Sequence, residues 1–250
     1  MHLQESVAYL DELLQTGSTG DYPQAHNGLQ FQNSGSISRI GAAVDACEAV
    51  IRDAVAERVD FLIVHHGLYW MPGRSVTGAA YRKTRLLIEA DVAVYSSHLP
   101  LDIHPEHGNN ALLASAIGLS NGQPFFDAFG QDIGLRFEVE ISREVLRDRI
   151  SHAVGGPVNL APGGPHLCRH LGLITGGAGG EVAKAADLGI DTFLTGEGPH
   201  WSFPLAEEKG VNLFYAGHYA TETFGVKALA AHLAAKLNLP WVFLDHPTGL

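Results

Sequence analysis

Residues 39–70 can be laid on residues 170–201 without a gap, at a constant offset of 131. An internal repeat of this length constrains the fold more than any single motif does. Five of the 32 paired positions are identical: Gly41 with Gly172, Ala54 with Ala185, Asp60 with Asp191, Gly67 with Gly198 and Trp70 with Trp201. The strand–helix–strand pattern matches throughout, and His66 falls on Glu197. The match resumes at offset 120 after the second copy loses a loop. There Tyr95-Ser-Ser-His98-Leu-Pro-Leu-Asp102 lies on Tyr215-Ala-Gly-His218-Tyr-Ala-Thr-Glu222, and both read Y-x-x-H-x-x-x-[D/E]. The pattern predicts two pseudo-equivalent halves that face each other, with acidic and imidazole groups converging between them.

Hydrophobic periodicity supplies the elements. Leu3, Val7, Leu10, Leu13 and Leu14 recur at helical spacing over 3–14. A short strand is expected at 40–44, and Asp45 is placed to cap a helix over 46–58. Phe61-Leu62-Ile63-Val64 reads as a buried parallel strand that ends at His65-His66-Gly67. A loop over 71–80, a helix over 81–90 and a strand at 92–96 follow. Residues 97–110 read as a polar loop, since Pro100 disfavours a helix beside Asp102, and a helix over 109–117 comes next. Residues 137–141 alternate like a half-buried strand, 142–154 read as a helix and 155–165 as a loop. Strands at 171–174, 192–195, 211–216 and 241–244 then alternate with helices at 181–188, 202–209 and 221–237. The expected class is α/β, with two halves of mixed, largely parallel sheets flanked by helices. The expected division is a first half over 1–120, a connecting segment over 121–165 and a second half over 166–250, the halves interlocking.

Composition excludes several functions. Hydrophobic residues at 46% are ordinary for a globular chain and too many for disorder. The two cysteines, Cys47 and Cys168, make neither a disulfide framework nor a thiolate zinc site. A formal charge of −11 argues against nucleic-acid binding, which needs a basic face. No apolar run approaches the ~18–20 residues of a membrane span. The first residues lack a signal-peptide pattern, so a cytoplasmic location is expected.

The 14 histidines are nearly as many as the 16 lysines and arginines, and their placement points to metal. In parallel α/β sheets, ligands bind beyond the carboxyl ends of the strands. His65, His66, His98, Glu197 and His218 all fall there. Adjacent residues of an extended chain point to opposite sides, so the His-His pair suits two neighbouring ions. His218 and Glu222 are four apart and share one face if the helix has begun by residue 219. Imidazole and carboxylate without thiolate suit Zn, Mn, Fe, Co or Ni. Two ions ~3.5–4 Å apart, bridged by a carboxylate and a water, would use all these groups. The run from Thr175 to Gly180 has two readings: backbone amides that cradle a phosphate, or a tight strand-to-helix turn. His104 and His107 share a loop with Asp102 and stay ambiguous.

At these residues the chain resembles the Nif-three-like dinuclear metal proteins, often labelled GTP cyclohydrolase 1 type 2 homologues. The segments that carry the resemblance are Asn27-Gly28-Leu29-Gln30, Asp60 to His66, His98 to Asp102 with Gly108-Asn109, Thr195-Gly196-Glu197, and Gly217-His218-Tyr219-Ala220-Thr221-Glu222. The resemblance implies two divalent ions held by His65, His66, Asp102, His218 and Glu222, with Glu222 as the bridge. It also implies homohexamers whose sites face an inner cavity. The label implies hydrolytic opening of a purine ring at C8 with release of formate. His98 and Glu197, outside the ligand set, are the candidates to shuttle protons. Asn27, Gln30 and His200 are the expected contacts to a small-molecule substrate. The competing expectation is a non-catalytic metal-binding oligomeric adaptor or metal-handling protein using the same ligands.

Overall fold

The computed structural model describes residues 2–70 and 75–250. In chain order the elements are α1 (Leu3–Leu13), β1 (Gly28–Phe31), β2 (Ile40–Asp45), α2 (Glu48–Ala56), β3 (Phe61–His66), α3 (Gly78–Glu89), β4 (Ala93–Ser96) and α4 (Leu99–Asp102). They continue with α5 (Asn109–Ala116), β5 (Gln123–Ala128), β6 (Gln131–Ser142), α6 (Arg143–Val154), β7 (Asn159–Pro162) and β8 (Leu167–Leu173). The last are α7 (Val182–Asp187), β9 (Thr192–Thr195), α8 (Ser202–Lys209), β10 (Asn212–Tyr215), α9 (His218–Leu237) and β11 (Trp241–Phe243). The class is mixed α/β, with two sheets flanked by helices.

The chain divides into two compact units. One comprises Met1–Leu101 with Gly225–His246, the other Asp102–Phe224 with Pro247–Leu250. The expected ranges 1–120, 121–165 and 166–250 cut the chain elsewhere. Residues 121–165 hold β5, β6, α6 and β7, and the strands among them are built into the second unit's sheet rather than joining two halves.

The first unit carries a five-stranded sheet in the order β1-β4-β3-β2-β11. β4, β3, β2 and β11 run parallel, and β1 joins β4 antiparallel. Phe61, Leu62, Ile63 and Val64 are fully buried, as a central parallel strand covered on both faces requires. Ala43, Val50, Ile51, Leu62, Val94 and Leu244 belong to one apolar cluster on this sheet.

The second unit carries six strands in the order β5-β6-β8-β9-β10-β7. β8, β9 and β10 are parallel, while β5, β6 and β7 pair antiparallel. The repeat is therefore real at the level of topology. β4-β3-β2 and β10-β9-β8 have the same order and direction, and each is flanked by an antiparallel strand, β1 or β7. The aspartate shared by the two copies has a mechanical role within each unit. Asp60 accepts from the backbone amides of Ser38 and Arg39 at 2.9–3.1 Å. Asp191 accepts from those of Arg169 and His170 at 3.0 Å. In both copies the aspartate satisfies amides near the entry of a parallel strand.

Several local expectations are corrected. Cys47, not Asp45, caps α2, its Sγ accepting from Val50 N at 3.5 Å; Asp45 is the last residue of β2. His65 and His66 lie on β3 itself, not beyond it. Leu99–Asp102 forms one helical turn despite Pro100, because a proline in a first turn removes no intrahelical hydrogen bond. Of the loop expected over 71–80, residues 71–74 lie outside the described residues. Among the described residues, no helix is long and apolar enough to cross a membrane.

Candidate metal centre

Within the first unit, β3 and the turn after β4 bring three imidazoles together. Ring centroids of His65 and His66 are 4.7 Å apart, His65 and His98 5.0 Å, and His66 and His98 5.7 Å. One ring nitrogen from each lies within 4.8 Å of the others, a spacing that can hold a metal ion. The expectation left His98 outside the ligand set; the geometry makes it a third imidazole of this cluster.

Each ring is held at Nδ1. His65 donates to Ser97 O at 2.8 Å, His66 to Asp45 Oδ1 at 2.9 Å and His98 to Asp21 Oδ1 at 2.8 Å. An oxygen acceptor at Nδ1 places the proton there and leaves Nε2 as the metal-binding atom, the arrangement usual behind metal-ligating histidines. Asp21 is itself fixed by Asn27 Nδ2 at 2.8 Å and by Leu99 N at 3.1 Å. Burial pulls its carboxyl upward, but His98 and Asn27 outweigh that and hold it below the usual carboxylate range. Trp70 packs edge-on to His98 with centroids 4.9 Å apart.

Within the second unit, α9 begins at His218, so the i,i+4 expectation is met. His218 Nε2 lies 3.1 Å from Glu222 Oε1, and its Nδ1 lies 2.9 Å from Glu197 Oε1. Burial alone would depress His218, yet the two carboxylates hold it at about 9. The same two carboxylates offer oxygen ligands to a divalent cation. Asp102 is 6% exposed, and its Oδ1 accepts from Asn109 Nδ2 at 2.8 Å and Thr175 Oγ1 at 3.3 Å.

The glycine-rich run resolves as a turn that packs against this group. Gly176 has φ +71°, and a Cβ there would overlap Glu222 Oε1. The amides of Gly176, Ala178 and Gly179 bond to Thr221 Oγ1, Thr195 Oγ1 and Glu197 O. Those three amides are spent on the protein, which favours the tight-turn reading of the run over the phosphate cradle.

The remaining expected residues fall in two places. Asn27 binds Asp21 and accepts from the backbone of His98 at 2.7 Å, so it positions the histidine cluster. Gln30 donates to His26 O at 2.6 Å and accepts from Leu68 N at 2.5 Å, so its amide is engaged at both ends by backbone. His200 lines a cavity of about 690 Å³ in the second unit together with Glu197. Sequence reasoning gave Asp21, Asp45, Asn109 and Thr175 no role at the site. Asp45 pairs with His66 across parallel strands, so the strand-end rule applied to β2 would have found it. Asp21 sits in an irregular stretch without any periodic signal.

The donor set of both units, imidazoles and carboxylates held by hydrogen bonds behind them, fits divalent metal. The chain is also similar to known proteins. A family model described as Duf34/NIF3 (NGG1p interacting factor 3) matches residues 1–248. A Deinococcus radiodurans protein named GTP cyclohydrolase 1 type 2 homolog is 42% identical over 98% of this chain and 94% of its own length. An Archaeoglobus fulgidus protein of the same name is 36% identical over all of both chains. The crystal structure of a Thermus thermophilus protein superposes with TM-score 0.91 at 43% identity, covering all of both chains. Reduced HcgD from Methanocaldococcus jannaschii gives TM-score 0.88 at 29% identity over 98% of each chain.

Proposed function

The chain belongs to the Duf34/NIF3 family, and from that premise we propose that it is a dinuclear metal-dependent hydrolase of a nucleotide-like small molecule, of the GTP cyclohydrolase 1 type 2 kind. In this reading His65, His66, Asp102, His218 and Glu222 would hold two divalent ions among Zn, Mn, Fe, Co and Ni. The observation that carries the reading is the pinning of each imidazole at Nδ1 by an oxygen acceptor. Such pinning costs side-chain freedom and is useful where Nε2 must meet a ligand.

When bound, the ions supply a water activated at neutral pH. The chain's own residues do the rest. Ser97, Asp45 and Glu197 orient His65, His66 and His218. Asn109 and Thr175 hold Asp102. His98, its Nδ1 proton committed to Asp21, presents Nε2 as a proton acceptor or an additional ligand. The same reading includes a homohexamer in the cytoplasm, to be checked by light-scattering mass.

Elemental analysis of the purified chain paired with a hydrolysis screen of nucleotides tests the proposal. Two ions per chain and turnover are expected, with both lost in His65→Ala and Glu222→Ala. Full metal content and activity in those variants would overturn it. Two tightly held ions without turnover would instead indicate a metal-handling protein.

A further inference from the structure

The cavity of about 690 Å³ in the second unit has the size of a small-molecule site. Its lining includes two aromatic residues and three prolines. Asn159 of β7 pairs with Tyr215 of β10, and residues directly opposite in an antiparallel pair lie on one face. Phe203 and Pro204, from the first turn of α8, add apolar surface, Phe203 being 37% exposed. The Tyr215 ring is anchored at its hydroxyl. Ser202 Oγ donates to Pro199 O at 2.6 Å, so in the 2.7 Å contact between Ser202 and Tyr215 the tyrosine donates.

The polar lining is selective. Glu197, Asn159 and His200 contribute side chains, and none of the described lining residues is Lys or Arg. A phosphate here would find no fixed cation and would meet the Glu197 carboxylate. That carboxylate spends Oε1 on His218, yet its side chain is still 43% exposed. A carboxylate has about four acceptor sites, so Glu197 retains capacity for a ligand N–H. A site with aromatic and proline walls and a carboxylate acceptor suits a flat ring with N–H donors on one edge.

We propose, building on the hydrolase reading, that this cavity takes the flat, phosphate-free heterocycle of the substrate, with adjacent ring N–H and exocyclic N–H groups facing Glu197. A ligand held this way also touches the residue that fixes the His218 ring, which couples ring recognition to the metal half-site of this unit.

Calorimetric titration of the full chain with guanosine, 1-methylguanosine and GTP tests the proposal, with metal content measured in parallel. Guanosine is expected to bind, GTP to bind no more tightly, and 1-methylguanosine to bind about tenfold or more weakly for want of one N–H. Phe203→Ala and Glu197→Gln should each weaken guanosine by a similar factor, with metal retained in Phe203→Ala. The proposal is overturned by GTP binding far tighter than guanosine, by equal binding of the methylated nucleoside, by no guanosine binding, or by unchanged affinity in Phe203→Ala. Guanosine binding by a chain without metal would support the cavity and sink the hydrolase reading, so the two fail separately.

Discussion

The imidazole of His98 donates from Nδ1 to Oδ1 of Asp21 at 2.8 Å, joining residues 77 apart in the chain. Asp21→Asn keeps the shape but can present an N–H to the ring, favouring the wrong tautomer. Losing such an outer partner typically costs 10–100-fold in metal affinity. Competition with a chromophoric chelator should show a drop of about that size. Unchanged affinity would separate His98 from ion binding. The Asp21 carboxyl lies below its ordinary value, so its stabilisation is full above about pH 4 and is lost as pH falls through the lower folded value. The variant should flatten the acid limb of a stability profile.

Gly176→Ala places a methyl group on Glu222 Oε1 at a position with φ +71°. Backbone strain there costs about 1–3 kcal/mol. Displacement of Glu222 should also deplete metal. Thermal unfolding and elemental analysis should report both losses together, and a chain with normal metal content would refute the close approach.

Tyr95 is fully buried, its hydroxyl donating to Asp11 Oδ1 at 2.8 Å with Thr16 Oγ1 at 3.2 Å. Burial pushes its ionisation well above the ordinary value. Above about pH 10 the unfolded chain loses this proton while the folded chain keeps it, so stability falls by about 1.4 kcal/mol per pH unit. Tyr95→Phe should cost about 1 kcal/mol at pH 8 and lose that share of the alkaline slope. Urea unfolding at pH 8, 10 and 11 would reveal it; identical slopes would rule it out.

Asp60 and Asp191 make equivalent bonds to strand-entry amides in their own units. Asp60→Ala and Asp191→Ala should each destabilise by about 1–2 kcal/mol. A neutral result for either, read by urea midpoints, would show that the repeated aspartate does not carry the same role in both copies.

What was legible in the chain followed from period and from repetition. Phe61 to Val64 could only be a covered strand, and the H-x-x-x-[D/E] spacing placed His218 against Glu222. The parallel core of each sheet was legible for the same reason. What escaped were contacts made by irregular chain. β1 and β7 are short antiparallel additions in turn-rich stretches, where neither alternation nor an apolar run marks a strand. Asp21 reaches His98 only because a loop without periodicity returns beside β4. The first helical turn at Leu99 was hidden by Pro100, whose penalty applies within a helix and not at its start. The unit boundary at residues 101–102 also left no trace, because it falls inside a repeated motif.

β11 is the edge partner of β2, and it is formed by residues 241–243. A ribosome making this chain delivers β2 some 200 residues before that partner, which at ~5–20 residues per second is a delay of roughly 10–40 s. Throughout that interval the almost wholly apolar strand Ile40–Asp45 has one open flank, the kind of exposed edge that templates pairing with other chains. All six strands of the second sheet lie between residues 123 and 215 and meet no such wait. The half that emerges first is thus the half that finishes last, and the nascent chain's exposure to misassembly is set by its final strand.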